Sequence, residues 1–269
     1  MLKDITLGQY YPVESPVHRL DPRAKLVITL IYIISLFLAD GWPCYLLAVI
    51  FLGFCIRTAR IPLGYMLKGL RMVIFLLLFS VTFNLFLTDG ETLVQFWIFR
   101  ITREGLIQAG YMAARLIFLI MGSSLMTFTT TPNSLTDGLE RGLGFLRVIK
   151  VPVHEIAMMM SIALRFIPIL TEETDKIQKA QMARGADFEN GNILQRAKAL
   201  IPLLVPLFVS AFRRATDLAM AMEARCYHGG KGRTKMFPLQ YHRRDWIAFC
   251  VGFIYLGAVI GLKVLKGLM

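Results

Sequence analysis

The chain has 269 residues, 56% of them hydrophobic, 12% aromatic and 18% charged, with 30 Lys and Arg against 18 Asp and Glu for a net charge of +12. Its charged share falls well below the roughly 25% of a soluble domain, which points to an integral membrane protein. The basic residues lie in blocks between apolar runs, as the positive-inside pattern requires, so a lipid bilayer and no nucleic acid is the expected partner.

Residues 1–25 form a cytosolic N-terminal segment with no apolar core, so no signal peptide is expected there. Two apolar runs follow, Leu26–Ala39 and Trp42–Ile56, separated by Asp40 and Gly41. Each is shorter than the roughly 20 residues that cross a hydrocarbon core at about 1.5 Å per residue. They need their flanks, or they form a re-entrant hairpin. Two spanning helices joined by a tight turn are expected, because Arg23 and Lys25 can snorkel at one end and Arg57 and Arg60 at the other. Met72–Thr88 and Leu106–Thr130 complete four transmembrane helices within residues 26–130, and Trp246–Leu262 gives a last one within residues 245–269. The predicted fold class is therefore an all-α integral membrane protein of about five transmembrane helices.

Loop charge sets the orientation. The second loop holds Arg57, Arg60, Lys68 and Arg71 and no acid, and residues 131–244 hold 17 Lys and Arg against 10 Asp and Glu. Both should face the cytoplasm together with the N-terminus, in a multi-pass protein of the prokaryotic plasma membrane. The Asp40-Gly41 turn and the Asp89–Glu104 stretch should face outward, as should the C-terminus, although Lys263 and Lys266 run against that last placement.

Residues 131–244 read as helices punctuated at Pro132, Pro152, Gly185–Gly191 and Gly229–Gly232. One runs from about Val153 to Arg184, with Ile156, Met160, Ala163, Ile167 and Leu170 spaced three or four apart before the charged run TEETDKIQKAQ. A second runs from about Leu194 to Tyr227, apolar first and then polar. Pro168, Pro202 and Pro206 inside them each remove a backbone bond and should kink the rod. These are long cytosolic amphipathic helices between the fourth and fifth spans.

Each helix ends in Ala-Arg and a small residue: Ala183, Arg184 and Gly185, then Ala224, Arg225 and Cys226. A small residue lets a partner's backbone approach closely, and arginine offers a planar fork suited to a carboxylate. Equally, arginine complements the macrodipole at a helix C-terminus and glycine is an ordinary C-cap.

Other candidates are sparse. Arg115 is the one clear charge inside a span, a possible intramembrane polar site with Asn84 on the neighbouring helix, or a snorkelling side chain. Gly257 and Gly261 form a GxxxG in the last span. Cys44, Cys55, Cys226 and Cys250 contain no CxxC pair, and the four histidines lack metal-ligand spacing, so no metal site is expected. The GGKGRTK stretch (Gly229–Lys235) lacks the spacing and hydroxyl of a phosphate-binding loop and reads as a solvated basic loop or a contact for anionic lipid heads.

HRLDPRAKL (His18–Leu26), NLFLTDG (Asn84–Gly90), LRFIPIL (Leu164–Leu170) with AQMARG (Ala180–Gly185), and DLAMAMEARCY (Asp217–Tyr227) occur in order along the chain. As an ordered set they resemble the transmembrane T component (EcfT-type) of energy-coupling factor transporters. The resemblance implies a non-catalytic scaffold that binds no cofactor of its own, ATP being held by two ATP-binding cassette subunits. A membrane-embedded, substrate-binding S component would complete a vitamin or metal-ion importer. It implies that the cassette subunits dock at Ala183, Arg184 and Gly185 and at Ala224, Arg225 and Cys226, where Cys226 departs from the usual glycine. The alternatives are a self-sufficient secondary carrier or channel with a cytosolic helical gate, and a membrane-bound enzyme using a residue such as His154 or Glu155.

Overall fold

The computed structural model describes residues 10–87, 92–96, 99–186, 188, 192–230, 236 and 238–268. The chain divides into two compact units, a bundle of Gly8–Gly138 with Leu239–Met269 and a helix pair within Leu139–Pro238. Apart from one strand pair, every regular element among the described residues is helical.

In the bundle, α1 (Pro22–Leu38) begins where Asp21 accepts a 2.9 Å bond from the Arg23 amide and Pro22 takes the first helical position. It stops at Asp40 and Gly41, the latter at φ 89, and α2 (Trp42–Ala59) restarts at once. At 17 and 18 residues these helices are each about 26 Å long, less than the roughly 30 Å core of a bilayer. Next come α3 (Leu63–Leu87), which starts at Leu63 and not Met72, then α4 (Arg103–Thr129) and α8 (Arg243–Leu268). Between α3 and α4 the expected outer connection contains an antiparallel strand pair that alternation did not predict, β1 (Thr92–Phe96) and β2 (Phe99–Thr102), with Phe96 opposite Phe99.

Four described helices are long and apolar enough to cross a membrane: α2, α4, α8 and, in the other unit, α6 (Val153–Ala183). In α3 the apolar stretch is the shorter Val73–Leu85. The first half of α6 carries its apolar character and TEETDKIQKAQ its charge, so a helix assigned to the cytosolic block also meets the length and composition of a span.

The bundle's core combines aliphatic residues such as Leu36, Leu52, Ile56 and Val259 with a set of packed aromatic rings. Phe51 of α2 stacks on Tyr255 of α8 at 4.2 Å between centroids, and Tyr32 of α1 stacks on Phe51 at 5.8 Å. The buried Ser35 hydroxyl donates to the Tyr32 carbonyl at 2.6 Å and lies 2.9 Å from the Tyr255 hydroxyl. Close approach of α1 to α4 requires Gly122, since a Cβ there would meet Tyr32 Cε1 at 2.4 Å. Large apolar side chains such as Phe75, Trp42, Phe54 and Ile254 face outward instead. In water that surface would be unstable; in hydrocarbon it is solvated.

A polar clasp joins the beginnings of α1 and α8 to the end of α4. Lys25, 6% exposed, donates from Nζ to the carbonyls of Thr129 at 2.7 Å and His18 at 3.1 Å. The buried Asp245 carboxylate accepts from the backbone amides of Asp21 and His242, both at 2.8 Å. Arg23 pairs with Asp21 at 2.9 Å and lies 4.0 Å over the Tyr241 ring. His18 sits between the Ser15 hydroxyl and the Tyr11 carbonyl, and burial holds its imidazole below the ordinary range. Most of the HRLDPRAKL stretch is thus consumed in fixing three helix ends.

The other unit contains the end of α5 (Pro132–Gly142), a 3-10 turn over Leu143–Ile149, α6, and α7 (Ile193–Ala224). Gln181 reaches the Pro202 carbonyl at 3.5 Å, Glu173 bonds Ser210 and Arg214, and Met159 shares a cleft with Met222. As residue numbers rise along α6, their partners' numbers fall along α7. The two helices are antiparallel.

Candidate functional site

Both Ala-Arg tips lie in the helix-pair unit and have the same backbone. At the end of α6, Ala183 is the last helical residue and Arg184 the C-cap. The Gly185 amide donates to the Met182 carbonyl and the Ala186 amide to that of Gln181, each at 3.0 Å, with Gly185 at φ +88. At the end of α7 the Cys226 amide donates to the Glu223 carbonyl at 2.9 Å and the Tyr227 amide to that of Met222 at 3.0 Å, with Cys226 at φ 55. Each is a Schellman motif, in which the residue after the C-cap adopts the left-handed conformation and two orphan carbonyls gain donors.

The third position is therefore small for a backbone reason. Glycine reaches positive φ without penalty, whereas a residue with a Cβ costs about 1–2 kcal/mol there. Cys226 bears that strain; Gly185 does not. No other part of the described chain comes within 4 Å of a Cβ built on Gly185, so the space beside that tip is open.

All six tip residues, Ala183, Arg184, Gly185, Ala224, Arg225 and Cys226, are exposed. Neither guanidinium has a hydrogen-bond or ion-pair partner among the described residues. Because the helices are antiparallel, the tips occupy opposite ends of the pair. By register Arg184 lies level with the start of α7 and Arg225 with the start of α6, on the order of 40 Å apart at 1.5 Å per residue.

The pair is held between its tips. Glu173 of α6 accepts from the Ser210 hydroxyl at 2.7 Å and from Arg214 at 2.8 Å on α7. Ser210 and Arg214 together hold the Glu173 carboxyl below the ordinary glutamate range. Pro168, Pro202 and Pro206 are all inside helices. Near Pro168, the Thr171 and Thr174 hydroxyls donate to the carbonyls four residues before them, at 2.8 and 2.7 Å. Beyond the second tip the chain folds back on the start of α6: a Cβ on Gly230 would meet His154 Cδ2 at 2.3 Å, and His154 Nδ1 lies 2.8 Å from Glu140. His154, raised as an enzyme candidate, is thus engaged in local packing. Residues 231–235 of the GGKGRTK stretch lie outside the described residues, as do Thr88, Asp89 and Gly90 of NLFLTDG.

Arg115 and Asn84, both in the bundle, are not brought together. Arg115 Nε donates to the Tyr45 hydroxyl at 3.2 Å and Nη2 to the Ala39 carbonyl at 3.4 Å, whereas Asn84 Nδ2 bonds the Ser80 carbonyl at 3.0 Å. The bond expected between them gives way because α1 ends early: the guanidinium reaches the C-terminal carbonyl of a short helix, where the macrodipole favours a cation. At the same turn Lys266 pairs with Asp40 at 3.0 Å, which neutralises one of the two lysines that argued against an outward C-terminus. Gly257 and Gly261 are exposed, and no atom lies within 4 Å of a Cβ built on either. No cluster of three or more potential metal ligands occurs among the described residues.

Residues 13–236 match the CbiQ family, described as cobalt transport protein. The chain is also 54% identical over 250 residues to the energy-coupling factor transporter transmembrane protein EcfT of Clostridium kluyveri, covering 92% of this chain and 93% of that one. To the proteins of the same name from Thermosediminibacter oceani and Brevibacillus brevis it is 50% identical over 260 and 262 residues, covering 96% and 97% of this chain and 98% of each relative.

Proposed function

We propose, for a chain that belongs to the CbiQ family and is an EcfT-type transmembrane component of energy-coupling factor transporters, that its two helix tips couple it to a pair of ATP-binding cassette subunits. One observation carries this reading. Two tips of different composition share one capping geometry, and each ends in an exposed arginine that the described chain leaves without a partner. A cap needs only the αL residue; the repeated arginine calls for a further reason, and a carboxylate on a partner supplies one. Tips on the order of 40 Å apart each suit a separate subunit.

In this mechanism ATP is bound and hydrolysed by the cassette subunits, and the chain holds no cofactor of its own. Their closure shifts one tip relative to the other. The contacts of Glu173 with Ser210 and Arg214 make the pair respond as one body, and the movement passes to a membrane-embedded S component that binds the vitamin or metal ion. Cobalt in the family's description is a cargo of that family; here the S component sets the cargo. The N-terminus and the helix pair face the cytoplasm, as the loop charges favour.

The test is a mild-detergent pull-down of the tagged chain, wild type beside Arg184→Glu/Arg225→Glu, with mass spectrometry of what is recovered. Two cassette proteins and a small membrane protein should accompany the wild type, and the cassettes should be lost from the variant. Recovery of the wild type alone, with transport by the isolated chain in liposomes, would establish a self-sufficient carrier instead.

A further inference from the structure

The bundle contains a cleft of about 320 Å³ at the end where α1 and α8 begin and α2 and α4 finish. Its wall is almost wholly apolar, with Ile28 from α1, Phe54 from α2, Leu125 and Met126 from α4, and Ile247 and Val251 from α8. Two cations, Lys25 and Arg244, line the same cleft. Lys25 is buried, and its ammonium, with three protons to donate, bonds only two carbonyl oxygens in the described chain. The carboxylates around it are engaged elsewhere, Asp21 with Arg23 and Asp245 with two backbone amides. Arg244 is exposed and has no hydrogen-bond or ion-pair partner among the described residues.

We propose that this cleft is a binding site for one anionic phospholipid, an acyl chain lying along the apolar wall and the phosphate seated against Lys25 and Arg244. From Arg244 to Val251 the α8 wall runs about 10 Å, deep enough for the upper part of an acyl chain. A polypeptide helix, about 10 Å across, would displace far more volume than the cleft has over that depth. The two cations stand one turn or less from the starts of α1 and α8, and the wall beyond them is apolar, so the complementary molecule has an anionic head and a hydrocarbon tail. Phospholipid of the surrounding bilayer is that molecule. A zwitterionic lipid could enter the same cleft, but its own ammonium would offset the attraction of the two cations. The inference rests on membrane insertion and on no assumption about the helix tips.

The experiment uses the full-length chain, delipidated in mild detergent and titrated with dioleoyl phosphatidylglycerol or dioleoyl phosphatidylcholine, with bound lipid counted by native mass spectrometry and the melting temperature followed in parallel. The expected result is one retained phosphatidylglycerol, bound in preference to phosphatidylcholine, and a rise in melting temperature with the anionic lipid alone. Arg244→Gln, at a side chain that makes no hydrogen bond or ion pair with the described residues, should lower that preference about fivefold, the effect of one basic residue near an anionic surface. Ala248→Phe, placing a ring in the cleft, should abolish retention of both lipids while the lipid-free melting temperature stays near wild type. Equal affinity for the two lipids, an Arg244→Gln preference like that of wild type, or undiminished binding to Ala248→Phe would overturn the proposal. So would a lipid seen on the free chain but absent from the complete transporter, which would assign the cleft to a protein neighbour.

Discussion

The tip of α6 and the tip of α7 are the same backbone built from different residues. Both end in Ala-Arg, and both close with a pair of amide-to-carbonyl bonds, one reaching back three residues and the other five. One places glycine in the left-handed position and the other cysteine. The common property is therefore the direction in which the chain leaves the helix and the place where the arginine stands, rather than the side chain at the third position. That difference separates two features which sequence had left entangled: the third residue caps, and the arginine makes no hydrogen bond or ion pair with the described chain, as the proposed docking role requires.

The largest test of this division acts on the arginines. Arg184→Glu and Arg225→Glu should each weaken assembly with the cassette subunits by about 2–5 kcal/mol, the usual loss when a buried interfacial charge pair is broken, measured as the shift in half-saturating cassette concentration. Equal losses would show the tips to be equivalent; a large loss at one alone would make the other a cap and no more.

Gly185→Val should cost the free chain about 1–2 kcal/mol through backbone strain, seen as a lower melting temperature. Because the space beside Gly185 is open in the chain itself, a loss of assembly greater than this strain would mean that a partner's backbone packs there. Cys226→Gly is the converse and smaller change, expected to stabilise the α7 tip by about 1 kcal/mol and leave assembly intact. If it weakens assembly instead, the cysteine is a contact.

The smallest effect is expected from Glu173→Gln, which loosens the pair midway between the tips and so should affect both alike. The wild-type carboxyl is held below the ordinary glutamate value of 4.5. Its stabilising contribution is therefore complete above that value and is lost as the pH falls through the lowered one. Melting curves of wild type and Glu173→Gln should differ at pH 7 and converge in acid; a constant difference would remove Glu173 from that role.

Much of the all-helical architecture was legible because apolar runs bounded by Asp-Gly, proline and basic clusters leave few alternatives in a bilayer. The end of α6 was legible from Arg184 and Gly185, whereas α7, expected to run to Tyr227, stops at Ala224 because Cys226 takes a left-handed conformation that its Cβ disfavours. Their antiparallel arrangement was not, since each helix taken alone shows only an apolar beginning and a polar end. Glu173, Ser210 and Arg214 meet across 37 to 41 residues, a separation that periodicity does not address. Arg115 was visible as a charge inside a span, but its partners are the Tyr45 hydroxyl, 70 residues away, and the Ala39 carbonyl, and a carbonyl has no sequence signature. The clasp of Lys25 with Thr129 spans 104 residues, although Asp21 before Pro22 did carry a readable helix-start signal. The strands β1 and β2, at 5 and 4 residues, are too short for alternation to distinguish them from a loop.

Two antiparallel rods of nearly equal length, 31 and 32 residues, have an approximate dyad between them, a half-turn that exchanges one tip for the other. A single asymmetric chain thereby presents a pseudo-symmetric face. A partner made of two like subunits related by its own two-fold axis can meet that face with both halves in the same way, without a second copy of this chain to complete the match.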